Sequence, residues 1–147
     1  MKRALPFLFT LLLLSACARP QAGAAGEEPG TPAWELMSKT TTATVYNAVP
    51  SQCNEDCLHT ATMFRIIPER ITEDRILAME RTMMAQLEIS YGDIVLVEGA
   101  GRYDGTWQVQ DTMNKRFAGQ HKIDFLVPEH IRHGKWKNVR VYKQKKL

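Results

Sequence analysis

The sequence predicts a mainly β fold, a small closed barrel of about six short strands with one or two short helices. Three observations carry this expectation. Short runs of β-branched and aromatic residues recur from Thr42 to Tyr142, separated by turn residues. Only one stretch, Arg81 to Glu88, changes clearly to a helical period. The chain beyond Ala33 leaves little more than about 100 residues, enough for one compact domain.

The elements follow in order. Thr42-Ala43-Thr44-Val45-Tyr46-Asn47-Ala48-Val49 reads as a strand that stops at Pro50. Residues 51–75 show no clear period. Ile76-Leu77-Ala78-Met79 is a short apolar run suited to a buried strand. In the helical stretch Met83, Met84 and Leu87 fall on one face, and Gly92 after Tyr91 marks the next turn. Asp93 to Glu98 is a strand, with Ile94 to Val97 apolar on both faces. Asp104-Gly105 is a hairpin signal, and Thr106 to Gln110 leads away from it. Ile123 to Val127 and Asn138 to Tyr142 complete the set.

The N-terminus has a different character. Lys2 and Arg3 precede an apolar run from Ala4 to Leu14, the length of a secretory core and too short to span a membrane. Leu14-Ser15-Ala16-Cys17 then resembles the lipobox of bacterial lipoproteins. The resemblance implies removal of residues 1–16 and acylation of Cys17, with several chains giving stable membrane anchoring. Ala18 in place of Asp implies outer-membrane sorting in a Gram-negative host, so the expected location is the cell envelope, facing the periplasm. Residues 17–33 are rich in Ala, Gly, Pro, Glu and Gln and read as a flexible tether. Residues 34–147 form the expected domain.

The full chain carries a formal charge of +3, and Lys2 and Arg3 leave with the signal peptide, so the mature chain is close to neutral. With no long basic stripe, and with export expected, nucleic acid is not a partner. Cys53 and Cys57 remain after Cys17 is lipidated. In an oxidising compartment they could close a small disulfide loop; a metal pair and free thiols are the other readings. His59, His121, His130 and His133 lack ligand spacing, so no metal and no cofactor is expected.

Three stretches in order resemble the 3D domain, a double-psi β-barrel module named for three aspartates and related to the rare-lipoprotein-A barrels. They are Ile76-Leu77-Ala78-Met79-Glu80, Tyr103-Asp104-Gly105-Thr106-Trp107-Gln108-Val109-Gln110-Asp111-Thr112 and Lys122-Ile123-Asp124-Phe125. Ala43-Thr44-Val45-Tyr46-Asn47 and Tyr91-Gly92-Asp93 fall where the family has similar elements. Two departures stand out: Glu80 replaces the first Asp, and Met113-Asn114 replace a Gly pair.

The resemblance implies a six-stranded double-psi barrel acting at peptidoglycan glycan strands. In lytic transglycosylases that carry this domain, one aspartate protonates the glycosidic oxygen, then takes the proton of the sugar's 6-hydroxyl as an anhydro ring closes. No separate water is activated, so one carboxylate suffices. By position Asp111 would be that residue, with Asp124 and Glu80 as carboxylates that tune it. Tyr46, Tyr103, Trp107 and Trp136 are the candidates for contacting sugar rings, with core packing the default for Trp107. Simple alternation puts Asp111 on the face of Trp107 and Val109, and Asp124 opposite to Ile123 and Phe125.

The same carboxylates could instead satisfy backbone amides. The chain is also too short for the second domain that walls the glycan groove in such enzymes. Three activities therefore stay open: a glycan-cleaving enzyme, a non-catalytic cell-wall binder, and a structural or protein-interaction module with an envelope partner. A monomer is expected in each case.

Overall fold

The computed structural model describes residues 33–53 and 56–145. The expected signal peptide, the acylated Cys17 and the tether up to residue 32 lie outside the described residues. Six strands, β1 (Trp34–Tyr46), β2 (Ile76–Met79), β3 (Ile94–Glu98), β4 (Gly105–Thr112), β5 (Lys122–Leu126) and β6 (Lys135–Gln144), close into a barrel in the order β1-β5-β2-β4-β3-β6. β1 runs parallel to β5 and β2 parallel to β4, while the other neighbours are antiparallel. This mixed closure is consistent with a double-psi barrel. Closure removes the unpaired strand edges that an open sheet of this size would expose.

Alternation along the strands explains the core. Ala43, Leu77, Met79, Val95, Val97, Ile123, Phe125, Val139 and Val141 point inward and are almost wholly buried. The barrel centre is aromatic. Phe125 packs against Trp107 at 4.5 Å and Tyr103 at 5.2 Å between ring centroids, and Trp136 meets Tyr103 edge-on at 5.1 Å. The Trp107 indole N–H donates to Tyr103 O at 2.7 Å, so its one polar atom is satisfied inside.

The helix α2 (Arg81–Gln86) follows β2 directly. Glu80 caps it, accepting from the Thr82 and Met83 amides at 2.6 and 3.0 Å. Met83 and Met84 enter the core, and Leu87 packs against it, as the helical period implies. Glu88, at φ 51°, ends the helix in the left-handed region.

Three local expectations change. β1 begins at Trp34, eight residues before the run that first reads as strand, because β6 extends to Gln144 and pairs with its start. The Asp104-Gly105 pair does not make a two-residue turn. A 3-10 turn at Gly101–Tyr103 fills the connection, and Asp104 closes it by accepting from the Ala100 amide at 2.6 Å. Asp111 does not share the Trp107 and Val109 face. Val109 pairs with Leu77, yet Asp111 pairs with Ala78, so one extra residue, Gln110, bulges between them. The bulge reverses the alternation and turns Asp111 outward.

The connection from Asn47 to Arg75 packs on the outside of the barrel. Phe64, Ile66 and Ile71 meet the outward residues Tyr46, Ile76 and Leu126 in a second, smaller apolar cluster. α1 (Ile71–Asp74) is a single helical turn within it.

Candidate functional site

Strand pairing places one row of side chains across five strands. Lys135 of β6 stands opposite Thr44 of β1, Thr44 opposite Asp124 of β5, Asp124 opposite Ala78 of β2, and Ala78 opposite Asp111 of β4. Residues paired in this way share a face. Leu77, Met79, Ile123 and Phe125 beside them are interior, so the row lies on the outer face. At about 4.8 Å per strand, Lys135 and Asp124 are about 10 Å apart along it.

Asp111 is partly buried and both its oxygens accept hydrogen bonds. Oδ1 takes the amides of Thr112 at 2.8 Å and Ala61 at 3.0 Å, and Oδ2 takes the Tyr46 hydroxyl at 3.1 Å. Burial, then the neighbouring Asp111 carboxylate, push the Tyr46 hydroxyl well above its ordinary pKa, so it stays a donor. The hydroxyl of Tyr46 thus ties the end of β1 to Asp111 of β4.

Asp124 accepts from the Thr44 hydroxyl. Burial raises its pKa above the usual carboxylate range, with Asp111 adding to the rise, while Thr44 and Lys122 pull the other way. The row thus holds two unlike carboxylates. Asp111 is fixed as an acceptor by three donors, while burial favours the protonated form of Asp124.

The connection between β1 and β2 forms one wall. Residues 58–66 fold back on themselves through a bridge between His59 and Arg65. This flap donates the Ala61 amide to Asp111, and the Thr62 hydroxyl reaches Gln110 O at 3.2 Å and its Oε1 at 2.8 Å. The bulged residue that turns Asp111 outward is therefore held by the flap. Cys53 and Cys57 form a disulfide within the same connection.

A second wall follows β5. The buried Asn47 donates its amide to Val127 O, Pro128 O and Ile131 O at 3.0–3.1 Å, pinning the loop that leads to Arg132 and His133. Gln52 in turn grips Asn47, at 3.0 Å to its backbone N–H and 3.3 Å to its side chain. Nothing in the residue pattern of Ser51 to Arg75 signals the first of these walls.

Of the sequence candidates, Asp111, Asp124 and Tyr46 come together. Glu80 does not join them: burial opposes its charge, but the Thr82 and Met83 amides outweigh it and hold the carboxyl below its ordinary range. Its work is capping α2. Tyr103 and Trp107 do not join the row either. Both are interior, 8% and 4% exposed, and the Arg75 guanidinium lies 4.2 Å from the Trp107 ring centroid, so neither offers a face to a sugar. Thr44 and Lys135 are the members of the row that sequence reasoning missed. No family model matches this chain, and no curated protein matches it.

Proposed function

We propose that this protein is a lipid-anchored envelope protein, related to the 3D and rare-lipoprotein-A barrels, that binds peptidoglycan glycan strands along the outer row and cleaves them. The pair of unlike carboxylates, Asp111 and Asp124, on one face of the barrel is the observation that carries this reading. Asp124 is the proton donor to the glycosidic oxygen, in place of Asp111, whose oxygens are both engaged as acceptors. As the bond breaks, the fixed negative charge of Asp111 favours the cationic sugar. The Asp124 carboxylate then receives the proton of the 6-hydroxyl as that oxygen closes on C1. Proton and bond count balance without water.

The lipobox-like Leu14-Ser15-Ala16-Cys17 supports the location, because an anchored chain with a short tether would meet the cell wall. A second reading, binding without cleavage, draws support from the flap, since Ala61 covers part of Asp111. Digestion of purified sacculi by the full-length chain in detergent, with products read by mass spectrometry, separates them. Cleavage yields anhydro-muropeptides that vanish with Asp124→Asn. Sacculus binding with no products, in wild type and variant alike, leaves the binding reading. Neither binding nor products removes both.

A further inference from the structure

At the β6 end of the row, Thr44, Val45, Arg132, His133, Gly134 and Lys135 line a solvent-open cavity of about 510 Å³. Its charged groups are of one sign, an Arg and a Lys, with His133 as a further ring donor. Glu129, 3.5 Å from Arg132, is the acidic group paired with them, and both side chains of that pair are exposed. Lys135 has no carboxylate partner among the ion pairs of the described residues. Thr44 belongs to both places: it lines the cavity and donates to Asp124.

The cavity is also built rather than incidental. A Cβ on Gly134 would stand 2.5 Å from the Trp136 ring and 3.1 Å from Val45, so only glycine lets the chain pass there. Trp136 is anchored in the aromatic core, and Asn47 holds the loop on the other side. Val45 adds an apolar wall.

We infer that this cavity is a subsite for a carboxylate carried by the glycan, which Arg132 and Lys135 bind while the neutral ring lies toward Asp124. The inference rests on the glycan reading above and adds the chemical class that the site selects. A guanidinium and an ammonium favour a carboxylate by charge-assisted hydrogen bonds, and the Asp111 carboxylate further along the row disfavours a second anion there. A strand carrying acid groups at intervals would thereby be set in one register. That acid is either the lactyl carboxylate of the amino sugar or a carboxylate of a peptide linked to it.

The test is an NMR titration of the ¹⁵N-labelled full-length chain in detergent with three probes. N-acetylmuramic acid carries the lactyl carboxylate, muramyl dipeptide carries only peptide acid groups, and N-acetylglucosamine has neither. Amide shifts at residues 132–135 with one or both acidic probes, and not with the neutral sugar, are expected. They should weaken about tenfold in Arg132→Gln/Lys135→Gln, while Arg81→Gln/Lys145→Gln, which removes the same charge elsewhere, leaves them in place. Which acidic probe shifts the signals identifies the source of the carboxylate. Equal shifts with N-acetylglucosamine, no shifts at 132–135, or a double variant that binds as well as wild type overturns the subsite. Failure of the glycan reading looks different: the acidic probes still shift 132–135, but sacculi do not bind.

Discussion

The two faces of the β1-β5-β2-β4 patch obey different rules. The inner face follows strict alternation, and each inward position from Ala43 to Phe125 is filled by an apolar side chain. The outer face carries Thr44, Asp124, Ala78 and Asp111, which are held by hydrogen bonds and by the walls of two loops. One inserted residue, Gln110, separates these regimes on β4. The inside therefore sets how stable the barrel is, while the outside sets what it can touch. Changes on the inside should appear as stability, and changes on the outside as small, pH-dependent or functional effects.

The largest expected break is on the inner side. Phe125→Ala removes the ring around which Tyr103, Trp107 and Trp136 pack, and should cost about 3–5 kcal/mol, read by urea denaturation. Next comes the loop clamp. Asn47→Ala leaves the carbonyls of Val127, Pro128 and Ile131 without their donor and should cost about 2–3 kcal/mol. It should also raise hydrogen exchange in residues 128–134, which Phe125→Ala should not do selectively.

The two titrating carboxylates sharpen the comparison because their signs differ. Glu80 has a lowered pKa, so its stabilisation is present above its unfolded pKa and is lost as pH falls through the folded value. Glu80→Ala should cost about 1–2 kcal/mol at pH 7 as a lost helix cap, and less in acid. Asp124 has a raised pKa, so its favourable contribution is complete below the unfolded value and is lost as pH rises through the folded one. Asp124→Asn should therefore raise the melting temperature at pH 7 relative to its effect at pH 3, even as it abolishes any cleavage. Equal effects at both pH values would count against a raised pKa.

The smallest effect concerns the buried Thr41. Among the described residues its hydroxyl has no hydrogen-bond partner. Thr41→Val should stabilise by about 1 kcal/mol in the same denaturation experiment. A loss of stability would mean that the hydroxyl is satisfied.

The strands were legible because burial of one face writes a period into the chain. Ile76–Met79 appears as read, and α2 matches its helical run to within two residues. The position of Asp111 was not legible, since a bulge depends on which residue of β2 and which atoms of the flap meet β4. Simple alternation there gave the wrong face. The walls were hidden for a related reason. Phe64, Ile66 and Ile71 are too scattered for a period, and they cover a patch assembled from β1, β2 and β5. Trp107 takes the core place that is the default for such a residue, and its indole bond to Tyr103 satisfies its polar atom there. The cavity at Arg132 to Lys135 had a weak local sign in Gly134, whose need for close approach only Trp136 reveals.

The central claim is that the Gln110 bulge brings Asp111 onto the face of Asp124 and makes them an interacting, unlike pair. Titration of the Asp124 side-chain carboxyl carbon by ¹³C NMR, in wild type and in Asp111→Asn, tests it most directly. The expected result is a wild-type midpoint above the ordinary Asp range that falls part of the way back when Asp111 loses its charge. An ordinary midpoint in the wild type, or one unmoved by Asp111→Asn, would contradict the pair and with it the assignment of Asp124 as proton donor.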